Sequence, residues 1–109
     1  MNTATYKGHK HSACGPQLVA RDDDILSPVP SQRLVNHSPD GFQWGYSGDG
    51  PKQLSLALLL DATGDPELSV RLYQDFKRDF VALWGDTWEI TDRTIRLWAE
   101  SHLSLAGVN

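Results

Sequence analysis

The chain of 109 residues has the size of one domain, and its hydrophobic residues, 39% of the total, suffice to close one core without disulfides or a structural metal. A formal net charge of −4 argues against a broad electrostatic contact with nucleic acid or an anionic membrane, because those contacts require clustered Lys and Arg. The single cysteine, Cys14, excludes an internal disulfide.

Residues 1–46 are predicted to form mainly short strands and turns. Prolines are frequent here, and because proline cannot donate to a strand ladder, each one favours a turn or a strand edge. The acidic run from Arg21 to Asp24 predicts a polar turn between two strands. The expected strands contain the short apolar pieces at Tyr6, Leu18–Val19, Ile25–Leu26 and Leu34–Val35.

Residues 42–46 alternate aromatic with small or polar side chains, which predicts a half-buried strand. Its three aromatic residues are expected to face the core: Phe42, Trp44 and Tyr46. Residues 48–50 then predict a flexible turn, and Pro51 suits the first position of a helix because its φ is already near the helical value.

Three helices are predicted over residues 51–103. The first runs from Pro51 to about Ala62, and its apolar residues cover most of its circumference, so it is expected to be the most buried helix. Gly64 ends this helix, and Asp65 caps the second, in which apolar residues recur every four positions on one side. That stripe consists of Leu68, Leu72, Phe76 and Phe80, extended by Leu83 and Trp84.

The pattern changes after the second helix, because Trp88 and Ile90 alternate with a polar residue. Thr91 is then a suitable N-cap for a third helix that ends near Leu103. The inward stripe of that helix consists of Ile95, Trp98 and His102. Residues 104–109 are expected to form a frayed tail.

Together these elements predict one α+β domain over residues 1–109, in which a short N-terminal antiparallel β-sheet packs against about three C-terminal helices. A homodimer is left open by Trp84, Trp88 and Trp98, since aromatic area that a small core does not bury often marks a subunit contact. No cofactor is expected.

The run from Asn36 to Leu60 carries a family resemblance. It reads Asn-His-Ser-Pro, a variable residue, Gly-Phe, a variable residue and Trp-Gly-Tyr, then glycines before Pro51 and a Leu-rich helix. In this pattern the chain resembles a bacterial and phage domain family of unknown function, over roughly residues 5–100 and most strongly over residues 36–77.

The resemblance implies a setting rather than an activity. The family occurs among small accessory proteins of bacteria, plasmids and phages, and it brings no known catalytic residues. The segment from His9 to Pro30 follows the family pattern poorly, because three aspartates at residues 22–24 stand where an Asp-Gly hairpin turn is expected. A partner surface built there would be particular to this protein.

The glycine-rich turn before the first helix is the first candidate ligand site, because exposed N–H groups and the positive end of a helix suit an anion. The candidate residues are Ser47, Gly48, Asp49 and Gly50, together with His37. Against an anion, Pro51 removes one donor and Asp49 brings a negative charge. The alternative is a plain strand-to-helix turn, with His37 hydrogen-bonded to backbone in the core.

A catalytic role for His37 is not expected. His37 and Ser38 are adjacent in an extended segment, so they point to opposite faces and cannot form the hydrogen-bonded pair that activates a nucleophile. No catalytic residue is therefore assigned.

A metal site is the second candidate. His9, His11 and Cys14 are good zinc or copper ligands within six residues, and the two histidines would share one side of a strand. No second Cys or His pair completes a tetrahedral set, and His102 is expected on a distant helix. Solvated polar side chains are therefore the favoured interpretation, with metal binding as the alternative.

These observations predict a small non-enzymatic binding protein of a phage or mobile genetic element, which acts on a host or phage macromolecule. We expect a protein partner rather than nucleic acid or a membrane, because basic and acidic side chains are interleaved along the helices. An inhibitor of a bacterial defence system, such as an anti-CRISPR protein, is one concrete form. The alternative is a small-ligand or anion-binding module, or an enzyme, that uses residues 48–51 and His37.

A cytoplasmic location is expected, which is the host cytoplasm if the protein is phage-encoded. The first nine residues lack the apolar core of a signal peptide. The longest apolar stretch, at residues 57–60 with Leu54 and Leu56 just before it, is far shorter than the roughly 20 residues that span a bilayer.

Overall fold

The computed structural model describes residues 3–11 and 15–107, with side chains described up to residue 103. Over these residues the chain is α+β, as predicted, and contains a four-stranded antiparallel sheet and four α-helices. The strands are β1 (Thr5–His9), β2 (Val19–Arg21), β3 (Asp24–Ile25) and β4 (Thr87–Thr91). The helices are α1 (Val29–Leu34), α2 (Asp49–Thr63), α3 (Pro66–Asp79) and α4 (Asp92–Gly107), with a 3₁₀ turn at Val81–Leu83.

Strand β1 organises the sheet, because it pairs with both β2 and β4 in the order β3-β2-β1-β4. Its residues alternate between the two faces: Tyr6 and Gly8 are buried on the helix side, and Lys7 and His9 are exposed on the other. One face of the sheet therefore belongs to the core.

The acidic run forms the predicted polar turn between β2 and β3. Asp22 has a φ of +53°, a left-handed conformation in which Asp is enriched among non-glycine residues. Its carboxylate also accepts a hydrogen bond from the Thr5 N–H at 2.9 Å. The turn is thus tied to the start of β1.

Strand β4 lies inside the region that was predicted to hold only helices. It joins the sheet at the far side of β1, with Thr5 opposite Thr91 and His9 opposite Thr87. Its alternating burial, with Trp88 and Ile90 inward, is the ordinary pattern of a half-buried strand. The sheet therefore combines three strands that precede α1 with one strand that lies between α3 and α4.

The strand predicted over residues 42–46 is wrong. Only one isolated bridge forms there, between Gln17 and Phe42, and Gly45 has a φ of +87°, which interrupts an extended strand. Phe42 and Trp44 are buried, as the alternation predicted, but Tyr46 is 46% exposed.

The strand predicted at Leu34–Val35 is also wrong, because residues 29–34 form helix α1. Pro30 lies in its first turn, where the missing N–H costs nothing, and the Val35 N–H bonds to the Ser31 carbonyl at the other end. The prolines of this segment thus begin a helix instead of bounding a strand.

Helix α2 begins at Asp49, two residues earlier than predicted, with Gly48 as its N-cap. Pro51 is its third residue, where its missing N–H has no intrahelical acceptor in any case. As predicted, the helix is buried nearly all round and forms the centre of the core. Its fully buried leucines are Leu54, Leu56, Leu58 and Leu59.

The start of helix α3 matches the prediction. Gly64 ends α2 in the left-handed conformation with a φ of +68°, and Asp65 Oδ1 accepts the Leu68 N–H at 3.1 Å. The apolar stripe, however, stops short of its predicted end. The helix ends at Asp79, the chain turns through the 3₁₀ segment, and Leu83 is 75% exposed.

The N-cap of helix α4 is confirmed, because Thr91 Oγ1 accepts the Thr94 N–H at 3.1 Å. The helix continues to Gly107 instead of ending near Leu103, so residues 104–107 belong to it and not to a tail. None of the helices in the described part of the chain has the length and apolar character needed to cross a bilayer.

Candidate functional site

A buried glutamine holds the segment that contains His37. Gln53 in α2 accepts the backbone N–H groups of His37 and Ser38 on its Oε1, at 2.7 and 2.9 Å. Its Nε2 donates to Ser31 Oγ at 2.9 Å and to the Val35 carbonyl at 3.1 Å. Because Gln53 is fully buried, these bonds fix the Asn-His-Ser-Pro segment against the core.

The ring of His37 was expected to bond backbone, but it bonds a side chain. Its Nε2 lies 2.6 Å from the hydroxyl of Tyr73, a buried residue of α3. Ser38 takes no part in this contact, so no nucleophile is paired with the imidazole. The arrangement anchors the segment to α3.

The glycine-rich turn already contains its own charge partners. The candidate residues Ser47, Gly48, Asp49 and Gly50 lie at the start of α2. The Asp49 carboxylate stands at the positive helix end, 3.7 Å from Lys52 Nζ, and Lys77 Nζ donates to Ser47 Oγ at 3.0 Å. Gly50 is buried, with the Gln43 side chain packed against it.

The structure nevertheless brings the two parts of the predicted ligand site to one side of α3. Tyr73, which bonds His37, and Lys77, which bonds Ser47, are four residues apart and thus neighbours on the helix surface. Ligand binding at this place remains a prediction.

The predicted metal ligands are only partly described, since Cys14 lies outside the described residues. Strand β1 ends at His9, so His11 does not share the strand with it, and His11 Nδ1 lies 3.3 Å from the His9 carbonyl oxygen. Within residues 3–11 and 15–107, no three His, Cys, Asp or Glu side chains are arranged to hold a metal ion. Metal binding at His9, His11 and Cys14 remains a prediction.

The sheet face opposite the helices carries exposed apolar side chains. Ile25 pairs with Ala20 across β2 and β3, and Leu18 stands two residues before Ala20, so all three share this face. Leu18 and Ile25 are 59% and 60% exposed. We refer to Leu18, Ala20 and Ile25 as the open-face patch.

A shallow groove of about 620 Å³ runs over this face. Its lining includes the open-face patch together with Lys7, His9 and Glu89. A second cavity of about 250 Å³ shares Leu18 and Ile25 and continues to Asp40. The patch therefore lies in a concave surface that extends beyond the sheet.

The charged side chains that line the two cavities are Lys7, Glu89 and Asp40. Lys7 is the only Lys or Arg among the described residues that line the two cavities, and its Nζ lies 3.8 Å from Glu89 Oε1. The carboxylates of Asp23, Asp24 and Asp40 form no hydrogen bond or ion pair within the described part of the chain. Of these three carboxylates only that of Asp40 lines one of the two cavities, so one uncompensated negative charge borders the concave surface of the patch.

On its other face, the sheet is tied to α2 by a polar triad. Asp61 Oδ2 accepts the Tyr6 hydroxyl at 2.5 Å and Arg21 Nε at 2.6 Å. Burial, and then the hydrogen bond to Asp61, raise the pKa of the Tyr6 phenol far above its usual range. The bond to Asp61 also raises the pKa of Arg21. The two hydrogen bonds to Asp61 tie β1 and β2 to α2.

Comparison with known families adds one result. The model of a family of unknown function, DUF6166, matches residues 6–101. The chain belongs to this family. Neither the comparison with curated proteins nor that with solved structures gives a match. The DUF6166 match runs from β1 to α4 and includes both the buried Gln53, which holds the His37 segment, and the open-face patch.

Two groups of residues in this DUF6166 chain escaped the sequence analysis. Gln53 and Asp61 are polar residues within the apolar helix α2, and Tyr73 lies in the amphipathic helix α3; no local pattern distinguishes them from solvent-facing positions. The sequence could have predicted the open-face patch. In Leu18–Val19 and in Ile25–Leu26, two apolar residues are adjacent, and adjacent residues of a strand point to opposite faces. A sheet with one covered face leaves one residue of each pair exposed.

Proposed function

We propose that the protein is a non-enzymatic binding module that docks on a partner protein through its open sheet face. The observation that carries the proposal is the open-face patch, in which Leu18 and Ile25 expose more than half of their surface in a concave groove. Exposed apolar side chains that are grouped and rimmed by polar residues are typical of protein interaction sites.

The partner is a protein surface that presents apolar side chains beside a Lys or Arg. The apolar side chains would fill the groove over Leu18 and Ile25, and a cation would face Asp40. Complementary charge accelerates the encounter and selects the partner, while the desolvated apolar contacts supply most of the affinity.

The experiment compares two double variants. The full chain is used to recover proteins from a bacterial lysate, and each recovered protein is purified. Its dissociation constant is then measured with the wild type, with Leu18→Ser/Ile25→Ser, and with the control Val70→Ser/Leu97→Ser. The control residues are 41% and 53% exposed on α3 and α4, away from the sheet.

The patch variant is expected to bind at least about tenfold more weakly, because apolar anchors contribute more than about 1.4 kcal/mol each in a buried contact. The control is expected to bind like the wild type, and Asp40→Asn is expected to reduce the salt dependence. Recovery of no protein whose affinity depends on the patch would overturn the proposal.

We further propose that the protein is encoded by a phage or mobile genetic element and inhibits a host macromolecule in the host cytoplasm. It is supported by the resemblance of residues 36–60 to a domain family of bacteria and phages, and by the small, acidic chain. An anti-CRISPR protein is one concrete form. Expression of the wild-type protein in bacteria with active CRISPR immunity should then restore phage infection, whereas expression of Leu18→Ser/Ile25→Ser should not. Unchanged immunity across CRISPR types would exclude an anti-CRISPR function.

A small-ligand module at the start of α2 is the second candidate, favoured by the way α3 brings His37 and Ser47 together. A thermal-shift screen against nucleotides, phosphates and divalent metals tests it. A rise in the unfolding temperature that disappears in both Asp49→Asn and His37→Gln would support this candidate. A screen without such a rise would reject it.

The homodimer stays a separate proposal. Trp88 is buried and packs on Trp84 with ring centroids 4.0 Å apart, so part of the aromatic area that suggested it is already covered within the chain. Light scattering at two protein concentrations decides the oligomeric state.

A further inference from the structure

We propose a second interaction surface, the free edge of strand β4, which takes an extended segment of a partner that carries Lys or Arg opposite Glu89. This surface differs from the open-face patch, because it consists of backbone groups at the β4 edge of the sheet, whereas the patch lies near the β3 edge. The two surfaces can serve one partner or two, and neither proposal depends on the other.

The ladder with β1 determines which groups of β4 are free. The Lys10 N–H bonds to the Asp86 carbonyl and the Asp92 N–H to the Ala4 carbonyl, at 2.8 and 3.0 Å. Antiparallel pairs alternate between bonded and non-bonded, so Trp88 and Ile90 direct their N–H and C=O groups toward β1.

Thr87 and Glu89 consequently direct their backbone groups away from the sheet. β4 is the last strand in the order β3-β2-β1-β4, and within residues 3–11 and 15–107 no group bonds to these outward N–H and C=O groups. Such an edge is a template for one more strand.

A second copy of the chain is a poor occupant of the whole edge. A two-fold pairing of β4 that uses Thr87, Glu89 and Thr91 would place Glu89 directly opposite its own copy. Like charges in that position destabilise a strand pair. The Glu89 side chain is 63% exposed, so solvent weakens this repulsion without removing it.

A cationic segment suits the same edge. Lys7 already lies 3.8 Å from Glu89 on the β1 side, in the cross-strand position. A Lys or Arg on an added strand would take the equivalent position on the free side, so that a row of alternating charge crosses the sheet. Opposite charges directly across a strand pair are stabilising.

The test uses a synthetic peptide, N-acetyl Thr-Val-Lys-Val-Thr amide, and a matched peptide with Glu in place of Lys. Binding is followed by amide exchange and by NMR titration of the full chain. In the free protein, the Thr87 and Glu89 amides are expected to exchange much faster than those of Trp88 and Ile90, and the lysine peptide is expected to slow them. The glutamate peptide should bind about two- to fivefold more weakly.

Two variants separate the backbone from the charge. Glu89→Pro removes the outward N–H but leaves the bonds of Trp88 and Ile90 to β1, so binding should be lost while those two amides stay protected. Glu89→Gln should still bind and should lose the preference for the lysine peptide. Leu18→Ser/Ile25→Ser should bind the peptide normally, so failure of the open-face proposal is distinguishable from failure of this one.

Three results would overturn the inference. The first is slow exchange of Thr87 and Glu89 in the free protein, which would mean that the edge is already paired. The second is equal binding of the two peptides. The third is wild-type peptide binding by a Glu89→Pro chain whose Trp88 and Ile90 amides remain protected.

Discussion

Gly8 in β1 provides the space that the indole of Trp88 in β4 occupies. A Cβ atom added at Gly8 would overlap the indole nitrogen and the adjacent ring carbons of Trp88. The two residues pair directly across the strands, and Trp88 in turn packs edge to face on Trp44, with ring centroids 5.5 Å apart. The contact between β1 and β4 therefore depends on the absence of a side chain at position 8.

Gly8→Ala is expected to lower the free energy of unfolding by about 1–3 kcal/mol, because overpacking a core forces side chains and backbone to shift. Urea denaturation measures the change. Gly85→Ala is the matched control, since a Cβ atom there meets nothing within 4 Å. An equal effect of both substitutions would show that the loss comes from the glycine backbone and not from Trp88.

Gln53→Leu is expected to destabilise the fold by about 3 kcal/mol or more, because it strands the backbone donors of His37 and Ser38 beside an apolar side chain. Amide exchange at these two residues should increase together. Arg71→Leu, at an exposed position of α3, is the control and should stay within about 0.5 kcal/mol of the wild type. A small effect of Gln53→Leu would mean that water replaces the lost bonds.

The Tyr6 phenol predicts a specific loss of stability at alkaline pH. Its pKa in the folded chain is raised by burial and by the bond to Asp61, so its stabilising contribution is complete below the unfolded value of 10.0 and is lost as pH rises above it. The difference in unfolding temperature between the wild type and Tyr6→Phe should therefore shrink from pH 9 upward. A constant difference up to about pH 11 would contradict this assignment.

Asp92 is expected to cause a loss of stability at the opposite, acidic end of the pH range. Burial is the largest single influence and raises its pKa. The hydrogen bond from Arg96 at 2.9 Å, the Arg96 charge and the backbone hydrogen bonds of Ala4 and Arg93 together outweigh burial, so the pKa lies below its usual value. Its contribution is present above the unfolded value of 3.8 and is lost as pH falls through the lower folded value.

Asp92→Asn should therefore cost about 1–3 kcal/mol near neutral pH and progressively less below about pH 4. Glu100→Gln, at an exposed position of the same helix, is the control and should show neither effect. Acid unfolding followed by circular dichroism measures both variants. An Asp92→Asn penalty that persists at low pH would contradict the charged hydrogen bond.

The sequence predicted those parts of the fold that local chemistry decides. The Asp65 and Thr91 caps, the Gly64 terminus and the all-round burial of α2 each follow from residue types within one or two turns of helix. The strand predicted over residues 42–46 failed because alternation alone cannot reveal the positive φ of Gly45. The alternating pattern predicted the burial of Phe42 and Trp44 correctly, but it assigned them to a strand that does not form.

The candidate site was harder to predict because it depends on contacts between distant residues. His37 was identified from sequence, but its partners Gln53 and Tyr73 lie 16 and 36 residues away. The open-face patch became recognisable only when the sheet order and the side covered by helices were known. Pairing partners of a strand are set by the whole chain, which a local pattern does not contain.

The pairing of β1 with β4 has a consequence for synthesis of the chain. Thr5 lies opposite Thr91, so β1 leaves the ribosome long before the strand that completes its second edge. During that interval one edge of β1 is unpaired, and the space above Gly8 that Trp88 later occupies is empty. Incomplete chains with an exposed strand edge are prone to associate. Translation of residues 10–86 thus sets a minimum delay before the native sheet can close.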